Sequence, residues 1–299
     1  MRASPTPVCT VPRRSVQLED NRRMHRGVGR AAVVVWMLLV GLAGCARHPA
    51  TSDSAPSGRV ADSGLPAAPV PSTTPGQFCL TAAERSGVIW FPSENGAFIA
   101  GVVLGPPKPV GFVLAHQSGG DMCDWVPYGR TLVTLGYTVL AIDLNGFGAS
   151  SSSRGYPSDA QWDRDVVAAA GQLRRRGVGK VVLMGASLGG MTVVAAAARL
   201  APPAAAVVDL SGPSDLSGVD ALAAAPHVTS PMLFVAAQED SVTSELREVA
   251  LAAKGATVNR VEIIPGGNHG ISLLQPDLEP RAAQVSALIV GFVRQYAGG

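Results

Sequence analysis

The stretch "VVLMGASLGGMTVV", residues 181–194, sets an apolar run against a cluster of small residues and then an alanine-rich segment. That order reads as a strand, a tight turn and a helix. Two chemistries share the layout. In one, glycines let the backbone approach a phosphate; in the other, a central serine, here Ser187, is a nucleophile. Gly185-Ala186-Ser187-Leu188-Gly189 has the G-x-S-x-G spacing, in which the serine sits on a sharp strand-to-helix turn with its hydroxyl exposed above the sheet. The phosphate reading lacks its own residues. No Gly-Lys-Ser/Thr follows the turn, and the glycines are not spaced G-x-G-x-x-G.

Outward from this stretch, the chain alternates two periods. Residues 87–104 read as two strands joined at Asn95-Gly96, where a tight hairpin turn is favoured. Runs at 110–116, 137–144, 180–187, 205–212 and 231–240 read as strands, most of them apolar enough to be covered on both faces. Residues 260–270 read as a last strand and its loop. Helices are expected at 125–135, 159–177, 188–200, 243–254 and 279–296. Acids open the 159–177 segment and Arg174, Arg175 and Arg176 close it, which suits a helix dipole better than a phosphate patch. The alternation predicts a mostly parallel sheet with helices on both faces, whose ligands sit at the carboxyl ends of the strands.

The 299 residues are 47% apolar and 15% charged, ample for a core. The formal charge of +2 is misleading. Seven of the 24 Lys and Arg and two of the 22 Asp and Glu fall in residues 1–44, which leaves −3 on residues 45–299. That balance speaks against nucleic acid as a partner. Residues 24–30 are a short basic stretch, and 31–44 an apolar run too short to span a bilayer comfortably. The run ends in Leu42-Ala43-Gly44-Cys45, which resembles the bacterial lipobox, whose Cys is lipidated. An ordinary signal peptide or a retained helical anchor is the alternative. Residues 1–44 are thus expected to be an export signal, with Met24 as an alternative start. Residues 45–76, rich in Pro, Ser and Ala, are expected to form a flexible tether. Residues 77–299 are expected to form the domain, held at the cell envelope outside the cytoplasm by a lipid anchor on Cys45. The domain's two cysteines, Cys79 and Cys123, are an even number in an exported segment and are expected to form a disulfide, two buried thiols being the alternative.

A serine nucleophile needs a base. Of the five histidines, His25 and His48 fall in the signal and tether, leaving His116, His227 and His269. His269, in "GGNHG" after the last strand, lies where small neighbours let an imidazole project over the sheet edge. The base in turn needs a carboxylate to hold its tautomer. Asp240 is the first choice, Glu239 the second, with Asp209 or Asp215 one strand earlier as the third. The order Ser187, Asp240, His269 is one of the known serine-hydrolase orders.

With these residues placed, residues 87–296 resemble the α/β-hydrolases. "DLNGFGAS" (143–150) is similar to the family's D-x-x-G-x-G-x-S segment, which implies a structural role for Asp143. "AHQSGG" (115–120) is similar to the His-Gly-x oxyanion loop, with Gln117 where Gly is usual. The resemblance implies a three-layer α/β-hydrolase fold. It also implies an oxyanion hole from the backbone N–H groups of Ser118 and Leu188, with Gln117 as the alternative donor that the departure from Gly introduces, and His116 as a structural residue. The implied substrate is a small-molecule carboxylic ester, cleaved through an acyl-enzyme on Ser187. A thioesterase, peptidase or cofactor-free perhydrolase on the same triad, or a silent binding lipoprotein, are the other readings. Only residues 211–230 separate two strands where the family commonly inserts a lid, so little or no lid and an open cleft are expected. No metal and no cofactor are expected, since the domain has three His and no Cys pair at ligand spacing.

Overall fold

Side chains alternate between two cores along each buried strand, as the period of two in a pleated strand requires. Val113 and Ala115 face one hydrophobic cluster, and Phe112 and Leu114 the other. Val181 and Leu183 join the first, while Val182, Met184 and Ala186 join the second. The structure, a computed structural model, describes residues 74–299, all within the unit Ser63–Gly299. The expected signal segment, Cys45 and the tether up to residue 73 lie outside the described residues.

In chain order the elements are β1 (Val88–Pro92), β2 (Phe98–Leu104), β3 (Val110–Ala115), α1 (Val126–Thr134), β4 (Thr138–Ile142), α2 (Trp162–Arg175), β5 (Lys180–Ala186) and α3 (Leu188–Arg199). There follow β6 (Ala206–Leu210), β7 (Asp215–Leu216), β8 (Val219–Asp220), α4 (Ala221–Ala224), β9 (Met232–Ala237), α5 (Thr243–Ala252), β10 (Asn259–Ile264) and α6 (Ala282–Tyr296). Eight strands form one sheet in the order β1-β2-β4-β3-β5-β6-β9-β10. From β4 to β10 the neighbours are parallel; β2 runs antiparallel to both β1 and β4. Residues of α2, α3 and α5 fill the first cluster, and residues of α1 and α6 the second, so the sheet is the middle of three layers. Among the described residues, no helix is long and apolar enough to cross a membrane.

Two helices start later than their sequence suggests. The segment expected to be helical from 159 begins at Trp162, because Asp159 and Ala160 donate to the carbonyls of Gly155 and Ser217 and Gln161 takes a left-handed φ of 54°. The last helix begins at Ala282, not 279. Glu279 accepts from the backbone N–H of Arg281 and ties up the segment ahead of it. The connection between β6 and β9 carries the β7–β8 hairpin and the single turn α4. Glu245 of α5 pins it by accepting from the N–H and hydroxyl of Ser214, both at 2.9 Å. It is a short, tied-down insert with no room for a full lid.

The start of the domain is fastened to α1. Cys79 and Cys123 form a disulfide. Arg130 holds both Glu84 oxygens at 2.8 Å and the Cys79 carbonyl at 2.8 Å. Residues 74–76, at the end of the expected tether, already join this arrangement: the Gly76 carbonyl accepts from the N–H groups of Cys79 and Leu80. The bridge closes a loop with a sequence separation of 44. The loss of chain entropy in the unfolded state then corresponds to about 3–4 kcal/mol. Replacing both cysteines by Ala is expected to lower Tm by about 8–15 °C in a calorimetric scan; an unchanged Tm would show that the cross-link does not restrict the unfolded chain.

Candidate active site

The chain order reverses in space between β3 and β5. From β3 the chain crosses to β4 on one side, and it later returns to place β5 on the other. Loops leaving the carboxyl ends of two such strands diverge and open a crevice. Ala115 pairs with Gly185 in register, so the loop starting at His116 and the turn at Ser187 leave the sheet side by side.

Ser187 has φ 51° and ψ −118°, a conformation rarely adopted by a residue with a side chain. The close packing around it sustains the strain. A Cβ on Gly185 would overlap the backbone of Gly189, and a Cβ on Gly189 would overlap the carbonyl oxygen of Ala115. The Ser187 N–H donates to the Leu210 carbonyl of β6 at 2.7 Å, which anchors the turn from the other side. Leu188 then opens α3, and its N–H has no acceptor within the helix. The half-buried Ser187 is thus presented beside a helix N-terminus that favours negative charge.

His269 follows β10, and Asp240 follows β9. Beyond the strands, the N–H groups of Gln238 and Glu239 donate to the carbonyls of Ile264 and Gly266, which carries the pairing up to the two loops. His269 Nδ1 lies 3.0 and 2.9 Å from the two Asp240 oxygens. The Asp240 side chain is only 2% exposed, whereas that of His269 is 39% exposed. An ionised carboxylate can only accept, so Nδ1 carries the proton and Nε2 offers its lone pair away from Asp240. The other candidate carboxylates stand elsewhere: Glu239 is exposed, Asp215 is exposed in β7, and Asp209 is buried under α3.

The histidine loop is seated against both of the others. Gly270 has φ +58°, and a Cβ there would lie 2.6 Å from Gln117 Oε1 and 3.6 Å from the Cβ of Ala186, the residue before Ser187. The Ile271 N–H donates to Gln117 Oε1 at 3.2 Å. Gln117 therefore uses its amide oxygen as a clip between the loop after β3 and the loop after β10. Nothing in the sequence pointed to that role beyond the presence of a polar side chain where a glycine was expected. Ser118 is exposed on the same loop, and the Gln117 carbonyl accepts the Gly120 N–H in its turn.

His116 is fully buried. Its Nε2 accepts the Leu144 N–H at 3.0 Å, so Nδ1 must carry the proton, and it donates to the Gln117 carbonyl at 2.8 Å. Burial pushes this imidazole down to about 4, which keeps it neutral. With both ring nitrogens engaged, it braces the loop against the segment that follows β4. Asp143 plays a similar part by accepting the N–H groups of Met122 at 2.6 Å and Ala149 at 2.8 Å. His227 sits in a short 3-10 turn after α4.

Asp209 is a buried acid with no contact to His269. Its Oδ1 accepts the Gly212 N–H at 2.8 Å, while Oδ2 has no hydrogen-bond partner. Burial pushes its carboxyl up to about 7. A folded pKa above the unfolded value means a contribution to stability that is full in acid and lost as the pH rises toward about 7. The slope is about 1.4 kcal/mol per pH unit between roughly pH 4 and 7. Asp209→Asn, which cannot ionise, is therefore expected to gain on the wild type as the pH is raised. Thermal unfolding of both proteins from pH 5 to 8 tests this, and a gap independent of pH would contradict it. Among the described residues, no group of three or more His, Cys, Asp or Glu is placed to hold a metal ion.

The family model described as serine aminopeptidase, S33, matches residues 110–214, from β3 to just beyond β6. Among curated proteins, none matches the chain by sequence. Solved structures do. An esterase of Pyrococcus furiosus, Pf2001, superposes with a TM-score of 0.61 at 13% identity, over 70% of this chain and 90% of its own. Est1E from Butyrivibrio proteoclasticus, solved with ferulic acid bound, gives 0.58 at 17% identity, over 71% and 100% of the two chains. The enol-lactonase from Burkholderia xenovorans gives 0.55 at 18% identity, over 69% and 99%. The mostly parallel sheet between two helical layers, together with these likenesses, gives the chain the α/β-hydrolase fold.

Proposed function

We propose that the protein is a serine hydrolase of carboxylic esters, acting through an acyl-enzyme on Ser187. The observation that carries this reading is His269, paired with Asp240, on a loop seated against Ala186 and Gln117, with Ser187 raised on a strained turn at the same sheet edge. In this reading His269 Nε2 takes the Ser187 proton as Oγ attacks the ester carbonyl. Asp240 stabilises the imidazolium that forms. The backbone N–H groups of Ser118 and Leu188 receive the charge that develops on the carbonyl oxygen. His269 then returns the proton to the leaving alcohol. Water repeats the sequence to free the acid. Gln117 acts here as a clip, its oxygen already engaged by Ile271. The short β6–β9 connection leaves the cleft open, which favours esters with varied or bulky groups. The similar folds of two esterases and an enol-lactonase support this choice of substrate class.

The match to a serine aminopeptidase model favours a second reading, in which the same residues cleave an amide at a peptide N-terminus. A fluorophosphonate probe followed by parallel assays of p-nitrophenyl esters and aminoacyl p-nitroanilides distinguishes the two. Labelling lost in Ser187→Ala, with esters turned over and anilides not, is the expected result. Labelling that persists in Ser187→Ala would remove Ser187 as the nucleophile.

Export as a lipoprotein through Cys45 belongs to the same proposal. The Cys79–Cys123 disulfide supports it, since such bridges persist in oxidising compartments. Metabolic labelling with a radioactive fatty acid, lost in Cys45→Ala, is the expected result; unlabelled wild type would refute the anchor.

A further inference from the structure

β10 is the last strand of the sheet, and among the described residues nothing pairs with its outer edge. In a parallel pair, the N–H and C=O of one residue point to the same side, and successive residues alternate. The carbonyls of Val258 and Ile264 accept from the N–H groups of Met232 and Gln238 on the β9 side. Even-numbered residues therefore face β9, while Asn259, Val261 and Ile263 turn their backbone groups outward. Such a row of free donors and acceptors is a template for another strand.

The side chains of this strand select the partner. Arg260 and Glu262 stand on one face of β10, 2.6 Å apart, with side chains 45% and 35% exposed. A second copy pairing antiparallel about a two-fold axis must place outward-facing residues opposite one another, so the axis passes through a residue, and three such centres set charged side chains of β10 directly opposite each other. Centred at 260, the pairing sets Arg260 against its own copy. Centred at 262, it sets Glu262 against its own copy. Centred at Val261, it sets each Arg260 opposite the other chain's Glu262, and it also aligns Asn259 with Ile263 in both directions. Only that register has complementary charges, and it uses every outward-facing residue of β10. Directly opposed opposite charges favour a pairing and like charges oppose it.

The edge also carries apolar surface. Val261 and Leu251 are two of the six large apolar side chains exposed among the described residues. Leu251 follows Ala250 on α5, and Ala250 accepts from the side chain of Asn259 at the start of β10.

We propose that the protein forms a two-fold dimer by antiparallel pairing of β10 with β10 of a second copy, centred on Val261. An isologous contact of this kind closes on itself and covers the β10 edge of both copies. The candidate active site lies at the carboxyl ends of the strands, so both clefts stay open in the dimer.

Sedimentation equilibrium of the full-length chain tests the proposal, with the fluorophosphonate-independent circular dichroism melt of each variant as a check of folding. The wild type is expected to be a dimer. Arg260→Glu, which lines the edge with carboxylates, is expected to be a folded monomer. The charge-reversed double variant Arg260→Glu with Glu262→Arg is expected to be a dimer again. A wild type that stays monomeric up to its highest soluble concentration would overturn the proposal. So would a dimer that survives Arg260→Glu, or a double variant that stays monomeric. Because Val261 faces itself in this register, with Cα atoms about 5.5 Å apart, Val261→Cys is also expected to cross-link two chains through a disulfide under air.

Discussion

Asp240→Asn is expected to lower kcat for an ester by about 10^4-fold while leaving the fold unchanged. The size of the effect follows from the proton on His269. In the wild type both Asp240 oxygens face Nδ1, at 3.0 and 2.9 Å, and hold the proton there. Oδ1 also accepts the Val242 N–H at 3.3 Å, so an asparagine keeps its amide oxygen at that position and turns its NH2 toward Nδ1. Nδ1 must then accept, and the proton moves to Nε2, the nitrogen that takes the Ser187 proton in the mechanism proposed above. Two controls accompany this variant. Glu239→Gln changes an exposed side chain and is expected to leave kcat within a few-fold of wild type. Thermal melts of both variants show whether the fold is intact. Full activity in Asp240→Asn, or a larger loss in Glu239→Gln, would place the orienting carboxylate elsewhere.

The second large effect concerns stability. A Cβ on Gly189 would overlap the carbonyl oxygen of Ala115 and would lie 2.6 Å from its carbon and 2.7 Å from the His116 carbonyl oxygen. These are backbone atoms of β3 and of the loop His116 braces, so no rotamer change relieves the overlap. Either α3 lifts off the sheet or the turn at Ser187 opens. Gly189→Ala is expected to cost about 3–5 kcal/mol and to lower Tm by 10 °C or more. Gly291 provides the opposite case. It is exposed in the middle of α6, with nothing within 4 Å of a Cβ. Gly291→Ala is expected to gain about 0.5–1 kcal/mol from the backbone alone. Paired calorimetric scans test both signs, and a neutral Gly189→Ala would mean that the turn is not held by contact with β3.

The layered sheet was legible because each buried strand carries a short apolar run, and each helix follows at the spacing a crossover needs. Element ends were less so. Gln161 carries no mark of its left-handed backbone, which depends on the Ser217 carbonyl more than fifty residues away. The β7–β8 hairpin, two residues per strand, is too short to show a period.

Ser187 and His269 stood out by local spacing and by elimination, since G-x-S-x-G needs only neighbouring residues and few histidines were available. The chain by itself also determined that Ser187 would sit on a crowded turn, because the glycines that permit the crowding are its neighbours. Only the tertiary structure decided which carboxylate meets His269. Asp240 was the first choice from the sequence, but Glu239, Asp209 and Asp215 also lay near strand ends. Pairing beyond the ends of β9 and β10 brings Asp240 alone to Nδ1, exposes Glu239 and buries Asp209 beneath α3. The role of Gln117 is of the same kind. Its partner, Ile271, is 154 residues away in sequence, and such a contact exists only once the sheet has set the two loops side by side.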